Sequence, residues 1–145
     1  MKVNIKKVRP EAMLPTRGTQ DSAGSDLHAC LQESLTLRPG ERVVIPTGLA
    51  IEVPTGYGAF LFARSGLGIK HGVVPSNCVG VIDADYRGEM MVGLVNQGNE
   101  AYTIEPQERI AQMVILPVEI CEFCEVEELS ATQREEGGFG STGRK

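Results

Sequence analysis

What the chain lacks narrows it first. No apolar run approaches the roughly 20 residues needed to cross a bilayer as a helix. The start, Met1-Lys2-Val3-Asn4-Ile5-Lys6-Lys7-Val8, interleaves charge with apolar residues, so it does not read as a secretory leader. The expectation is a soluble cytoplasmic protein without a membrane partner. Positive charge is also scarce. Fourteen Lys+Arg against nineteen Asp+Glu leave a net −5, which argues against a nucleic-acid partner. A small anionic ligand stays open, because it needs only a local cluster of cations.

Helical periodicity is missing too: no stretch of ten residues keeps a 3.6-residue apolar repeat. The glycine-rich phosphate loop that ends in Lys-Ser/Thr is absent, which removes the familiar parallel-sheet nucleotide folds. Four cysteines occur, at 30, 78, 121 and 124. Cys121-Glu122-Phe123-Cys124 has CxxC spacing, yet zinc wants four ligands and no second CxxC or paired His accompanies it. The pair lies in a strand-like run instead of opening a helix, so the cysteines are expected to be reduced structural thiols.

What is present is an ordinary globular balance, 41% hydrophobic and 23% charged, in a length that suits one domain. Short β-branched runs recur: Val43–Ile45, Leu49–Val53, Ala59–Ala63, Val79–Ile82, Met90–Val95 and Ile110–Leu116. Between them stand turn formers such as Pro39-Gly40, Pro54-Thr55-Gly56 and Gly98-Asn99, a rhythm that predicts an all-β sandwich or barrel. Ser65 to Lys70 is the one place for a helical turn or two. Met90 to Val95 is apolar on both faces, so a second copy of the chain is expected to cover it. Seven glutamates fall between Glu119 and Glu136, in what reads as a solvated edge and linker. The glycine-rich end from Arg134 suits either a frayed terminus or a flap ordering over a ligand, and its lone Phe139 favours the flap.

Several short segments carry chemistry. In Gly80-Val81-Ile82-Asp83-Ala84-Asp85-Tyr86-Arg87-Gly88-Glu89 an apolar strand runs into two acids; in extended chain Asp83 and Asp85 would point the same way. They suit a metal, a base with a partner, or merely a polar turn. Arg64-Ser65-Gly66-Leu67 joins a cation, a hydroxyl and free backbone N–H groups into a possible anion cradle. Arg109-Ile110-Ala111-Gln112 puts Arg109 and Ala111 on one strand face and Ile110 and Gln112 on the other. Gln112 is then either a satisfied core amide or a donor to a phosphate. Ala23-Gly24-Ser25-Asp26-Leu27 brings an acid into a strand after a turn.

In combination and order these segments resemble the five motifs of the homotrimeric dUTPase family, with Arg134 to Gly143 as the fifth. The resemblance runs over nearly the whole chain, and the third and fifth motifs are the most diagnostic. It implies a β-clip, jelly-roll-like distorted barrel over residues 1–133 and a flexible flap over 134–145. It also implies a homotrimer with active sites at subunit interfaces, and hydrolysis of dUTP to dUMP and pyrophosphate with Mg²⁺. Asp83 would be the base that activates water. Tyr86 would lie against the deoxyribose, and the hairpin with Asn77 and Val81 would read uracil. Arg64, Ser65, Gly66 and Gln112 would hold phosphates. From the flap, Arg134, Gly140, Ser141 and Thr142 would grip the γ-phosphate end while Phe139 stacks on the base. Asp26, Asp85 and Arg109 would support, and Mg²⁺ would be held through substrate phosphates and water, with no direct protein ligand.

The chain departs from the family pattern at three places. Ser25 stands where Tyr is usual, Gln107 where motif four opens with Gly, and Glu135-Glu136 follow Arg134 where Gly is common. Two rivals share the fold: a deoxycytidine triphosphate deaminase, which would keep a Glu near the base, and a non-catalytic nucleotide-binding relative.

Overall fold

The computed structural model describes residues 1–138. Its strands are β1 (Asn4–Lys7), β2 (Ser25–His28), β3 (Leu35–Leu37), β4 (Arg42–Glu52) and β5 (Tyr57–Phe62), then, after helix α1 (Ser65–His71), β6 (Val73–Pro75), β7 (Gly80–Ile82), β8 (Glu89–Asn96), β9 (Tyr102–Ile104) and β10 (Arg109–Pro117). Two four-stranded sheets, ordered β1-β4-β8-β6 and β2-β10-β5-β7, and the β3-β9 pair are antiparallel throughout. The all-β, jelly-roll-like architecture is the one expected, and α1 runs one residue past its predicted end. Gly72 stops it in the left-handed region (φ 71°), its N–H donating to the Gly68 carbonyl at 3.0 Å.

The core gathers the inward side chains of both sheets, including Leu27, Ile45, Leu49, Val92, Leu94 and Ile110, with Ile104 from the β3-β9 pair. Each such side chain contributes about 1.5–3 kcal/mol of hydrophobic stabilisation. A buried polar knot holds the strand ends: Asn96 donates to the Leu37 and Glu100 carbonyls at 2.9 and 2.8 Å and accepts from Gly98 N–H at 2.8 Å.

Three expectations change. The run Val43–Ile45 and the run from Leu49, up to Glu52, belong to one strand, because Pro46-Thr47-Gly48 makes a bulge where the register against β8 shifts, and Val53 falls just past its end. Gly48 takes φ 70° there, and its N–H donates to Glu89 Oε1 at 2.8 Å. In β10 a register shift between Arg109 and Ala111 breaks the alternation, so Ile110 and Ala111 are both buried. The cysteines 121 and 124 do not lie in a strand. Past Pro117 the described chain forms no further strand, since Val118 N–H to the Gly56 carbonyl (2.9 Å) is the last backbone tie of that edge. Both thiols are exposed.

Candidate functional site

The first part of the site lies where β2, β10 and the end of β5 meet. Asp26 on β2 accepts from Arg64 Nε at 2.8 Å and from Arg109 Nη1 at 3.2 Å. Arg64 Nη1 also donates to the Arg109 carbonyl at 3.3 Å, so one carboxylate orients two cations and leaves the trio net positive. Pairing of Asp26 with Gln112, and of Gln112 with Phe62, brings three motifs together across three adjacent strands. Gln112 is half-buried; its Nε2 donates to the Ala63 carbonyl at 2.8 Å, which leaves its second N–H free. A side chain on Gly24 would collide with Gln112 Oε1, which gives that glycine its reason. Ser65 and Gly66 are exposed just beyond, with open space at Gly66.

Sequence reasoning passed over His28, which faces Arg109 across the β2–β10 pair. It is buried, and its Nδ1 has no hydrogen-bond partner. Burial first, then Arg109 and Arg64, hold its pKa below the ordinary value against the pull of Asp26. A histidine in a strand of apolar neighbours carries no sequence signal for this. Tyr102 joins the same neighbourhood: its hydroxyl donates to Glu108 beside Arg109, and its ring lies 4.7 Å from that of His71. Burial and then Glu108 push the Tyr102 phenol up to about 12.

The second part is the turn after β7. Tyr86 N–H donates to the Asp83 carbonyl at 3.2 Å, so the chain bends at Ala84-Asp85. The extended geometry that would align Asp83 with Asp85 therefore does not hold. Asp83, Asp85 and Tyr86 are all exposed. The Tyr86 hydroxyl donates to the Glu89 carbonyl at 3.0 Å and would collide with any side chain at Gly88, so the ring is fixed. It walls a groove of about 210 Å³ with Val81, Ile82, Asp83, Glu89, Met90 and Met91. A larger depression of about 690 Å³ lies on the other side, shared by Val81, Asp83, Asp85 and residues 55–58. The hairpin tip before β7 is tight: Cys78 N–H donates to the Pro75 carbonyl at 3.2 Å, Cys78 takes φ 68°, and Asn77 is exposed.

These two parts do not meet in one chain. Ile82 pairs with Ala59 at the start of β5, whereas Arg64 follows its far end. The strand between them separates Asp83 from the cationic cluster by roughly 15–20 Å at about 3.4 Å per residue.

Near the terminus, Arg134 Nε donates to the Gly137 carbonyl at 2.7 Å. The Glu135 carboxylate accepts from the Thr132 N–H at 2.9 Å and the Glu135 N–H donates to the Thr132 hydroxyl at 3.1 Å, which holds that carboxylate on the Thr132 backbone. Both Gln107 (φ 63°) and Glu135 (φ 43°) stand in the left-handed region, which explains why glycine suits those positions. Phe139, Gly140, Ser141 and Thr142 lie outside the described residues.

The fold is that of an all-β protein with a cationic cluster at one end of β5 and a carboxylate turn at the other. The family model for dUTPase matches residues 10–143. The chain is 51% identical over 144 residues to a deoxyuridine 5'-triphosphate nucleotidohydrolase of Fusobacterium nucleatum, covering 99% of each protein. It is 52% identical to that of Nautilia profundicola over 99% of this chain and 100% of the other. The solved Staphylococcus bacteriophage 80alpha dUTPase with dUpNHpp superposes with a TM-score of 0.89 at 32% identity, over 98% of both chains. A mutant dUTPase of S. aureus phage phi11, described with a structural Mg(II) ion, gives 0.80 at 27% identity over 88% of this chain and 98% of that one. The chain belongs to the dUTPase family.

Proposed function

We propose that the protein hydrolyses dUTP between the α- and β-phosphorus, releasing dUMP and pyrophosphate, at sites shared between copies of the chain. The observation that carries the shared site is the placement of Asp83 and Arg64 at opposite ends of β5. Triphosphate contacts made by the Arg64 cluster of one chain must then be completed by the Asp83 turn of another. Apolar side chains left uncovered support such assembly: Val44 is 61% exposed and Met91 42%, diagonal to each other in the β4-β8 pairing, and Phe123 on the trailing arm is 96% exposed. A homotrimer, as in the family pattern, satisfies both features.

Asp83 orients a water and takes its proton as the oxygen attacks the α-phosphorus in line, with pyrophosphate leaving opposite. Tyr86 packs against the deoxyribose, and its fixed ring leaves no room for a 2′-hydroxyl. The Asn77 hairpin and Val81 enclose uracil in a slot too tight for a 5-methyl group, a steric rejection stronger than a missing contact. Arg64, Ser65, Gly66 and the free N–H of Gln112 hold phosphate oxygens; Asp26 and Arg109 position Arg64, and Asp85 shapes the turn. The flap over 134–145 closes with Arg134, Gly140, Ser141 and Thr142 on the γ-phosphate end and Phe139 on the base. Among the described residues no group of three or more His, Cys, Asp or Glu gathers to cage a metal. Mg²⁺ would be held through the substrate's phosphate oxygens and waters, where it would neutralise phosphate charge. No helix among the described residues is long and apolar enough to cross a membrane, and a cytoplasmic setting goes with a nucleotide substrate.

Pyrophosphate release from dUTP, dTTP, dCTP and UTP tests the reading. Release from dUTP alone is expected; ammonia with an intact triphosphate overturns it. Mixing Asp83→Asn and Arg64→Ala subunits tests the shared site. Random assembly restores about a quarter of the sites to the parent KM, whereas a site built within one chain yields none with the parent KM in any mixture.

A further inference from the structure

Arg9 and Glu89 stand 80 positions apart, yet the bulge in β4 brings them together. A bulge withdraws backbone groups from the ladder, and here side chains take them up. Thr47 donates to the Met90 carbonyl at 2.7 Å and accepts from Leu49 N–H at 3.2 Å. The Gly48 carbonyl accepts from Val8 N–H at 2.8 Å, while the Gly48 N–H goes to Glu89 Oε1 at the same distance. A Cβ at Gly48 would strike the Ala12 and Cys30 side chains, so only glycine leaves that N–H in place. Arg9 closes the clasp with two arms of its guanidinium, Nε on Glu89 Oε1 at 2.8 Å and Nη2 on Oε2 at 3.0 Å. Such a fork fixes a carboxylate in direction as well as in place.

The backbone of the same Glu89 carries the Tyr86 phenol, which donates to its carbonyl at 3.0 Å. The turn that bears Asp83 is held separately. Tyr86 N–H donates to the Asp83 carbonyl at 3.2 Å, and Arg87 Nη1 to the Ala84 and Tyr86 carbonyls at 2.7 and 3.0 Å. The tip of the Tyr86 ring and the Asp83 turn therefore have different anchors.

We propose that Arg9 is a positioning residue for sugar selection: its fork on Glu89 fixes the carbonyl that holds Tyr86, and so sets how strictly a ribose 2′-hydroxyl is refused. This role rests on the proposed place of Tyr86 against the deoxyribose. An apolar surface alone rejects an added hydroxyl only about a hundredfold, so stronger refusal depends on a wall that stays in place. Without the fork, the Glu89 side chain, only 21% exposed, is left with an unpaired charge. It turns to water and releases the Gly48 N–H. The start of β8 then loosens, and the Tyr86 ring moves with its carbonyl.

The test compares kcat/KM for dUTP and UTP in the full-length parent and in Arg9→Met, which keeps the aliphatic stem and removes the fork. The expected dUTP/UTP ratio falls about tenfold, the scale of one charge-assisted hydrogen bond, chiefly through faster UTP turnover. Arg9→Lys, with the charge but no fork, should give an intermediate ratio. Tyr86→Phe should lower the ratio too, and adding Arg9→Met to it should lower it no further, because both act through one hydroxyl. Equal losses on both substrates would mark a purely structural clasp and overturn the proposal. So would an unmoved ratio, or additive effects in the double variant. If Arg9→Met does not fold, the Arg9→Lys ratio decides. A parent inactive on dUTP overturns the proposed function and this role with it, whereas an active parent with an unmoved ratio in the variants overturns this role alone.

Discussion

The two ends of β5 hold their functional groups by opposite means. At the Arg64 end every charge is tied: Asp26 binds Arg64 and Arg109, and Arg64 reaches the Arg109 carbonyl as well. At the Asp83 end the carboxylate makes no side-chain hydrogen bond among the described residues, while Tyr86 beside it is pinned. The difference fits the two tasks proposed for these ends. A phosphate cradle gains from cations held in place before the anion arrives. A general base must keep its lone pairs for water, so the scaffold fixes its neighbours and leaves the carboxylate unengaged.

Substitutions can break or sharpen that contrast. The largest effect is expected from Asp83→Asn: a fall in kcat of about 10²–10⁴ with little change in KM, read by pyrophosphate release. An unchanged kcat would remove Asp83 from the chemistry. Arg64→Ala should raise KM about ten- to a hundredfold, the loss of a charge-assisted contact. If kcat fell instead with KM intact, the cluster would be acting on the transition state alone.

Two pH effects are smaller. Arg9 first, with the Gly48 N–H, holds the Glu89 carboxyl below its ordinary value of 4.5. This carboxylate's contribution is present above that value and disappears as pH falls through the lower folded-state value. Glu89→Gln should lower Tm by a few degrees at pH 7, and the difference should vanish toward acid in a pH series of melts. His28 has its pKa depressed from 6.5. The unfolded chain therefore takes up a proton first, and stability declines as pH falls below 6.5. His28→Gln should flatten the melting profile in that window; an unaltered slope would show that His28 does not cause it.

The smallest effect tests the strained entry to the cluster. Gln107→Gly should raise stability by about 0.5–1 kcal/mol, because glycine takes φ 63° without a Cβ clash. Denaturant unfolding measures it, and a loss of stability would mean that the Gln107 side chain outweighs the strain.

Local features were legible in the sequence. Ser65 with the glycines after it marks the short helix, and β-branched runs between Pro-Gly turns mark strands, because such signals act over a few residues. The turn at Asp83 was legible as chemistry but not as shape, since an extended and a bent Asp-Ala-Asp-Tyr read alike. The bulges at Pro46–Gly48 and in β10 were not legible, because a bulge answers to the partner strand. His28 was invisible for the same kind of reason: its burial comes from elements distant in sequence.

By itself, then, the sequence determined the residue types and their order: a carboxylate before Tyr86, an aspartate and two arginines in separate motifs, and a glycine-rich end. Only the tertiary structure decided what stands near what. Pairing of β5 with β7 on one side and β10 on the other gathers Asp26, Arg64, Arg109 and Gln112 and sends Asp83 to the far end. Strand register is a long-range choice, set by which apolar faces can be buried together. That choice puts Asp83 and the Arg64 cluster at opposite ends of β5, which is the ground for the proposed site shared between copies of the chain.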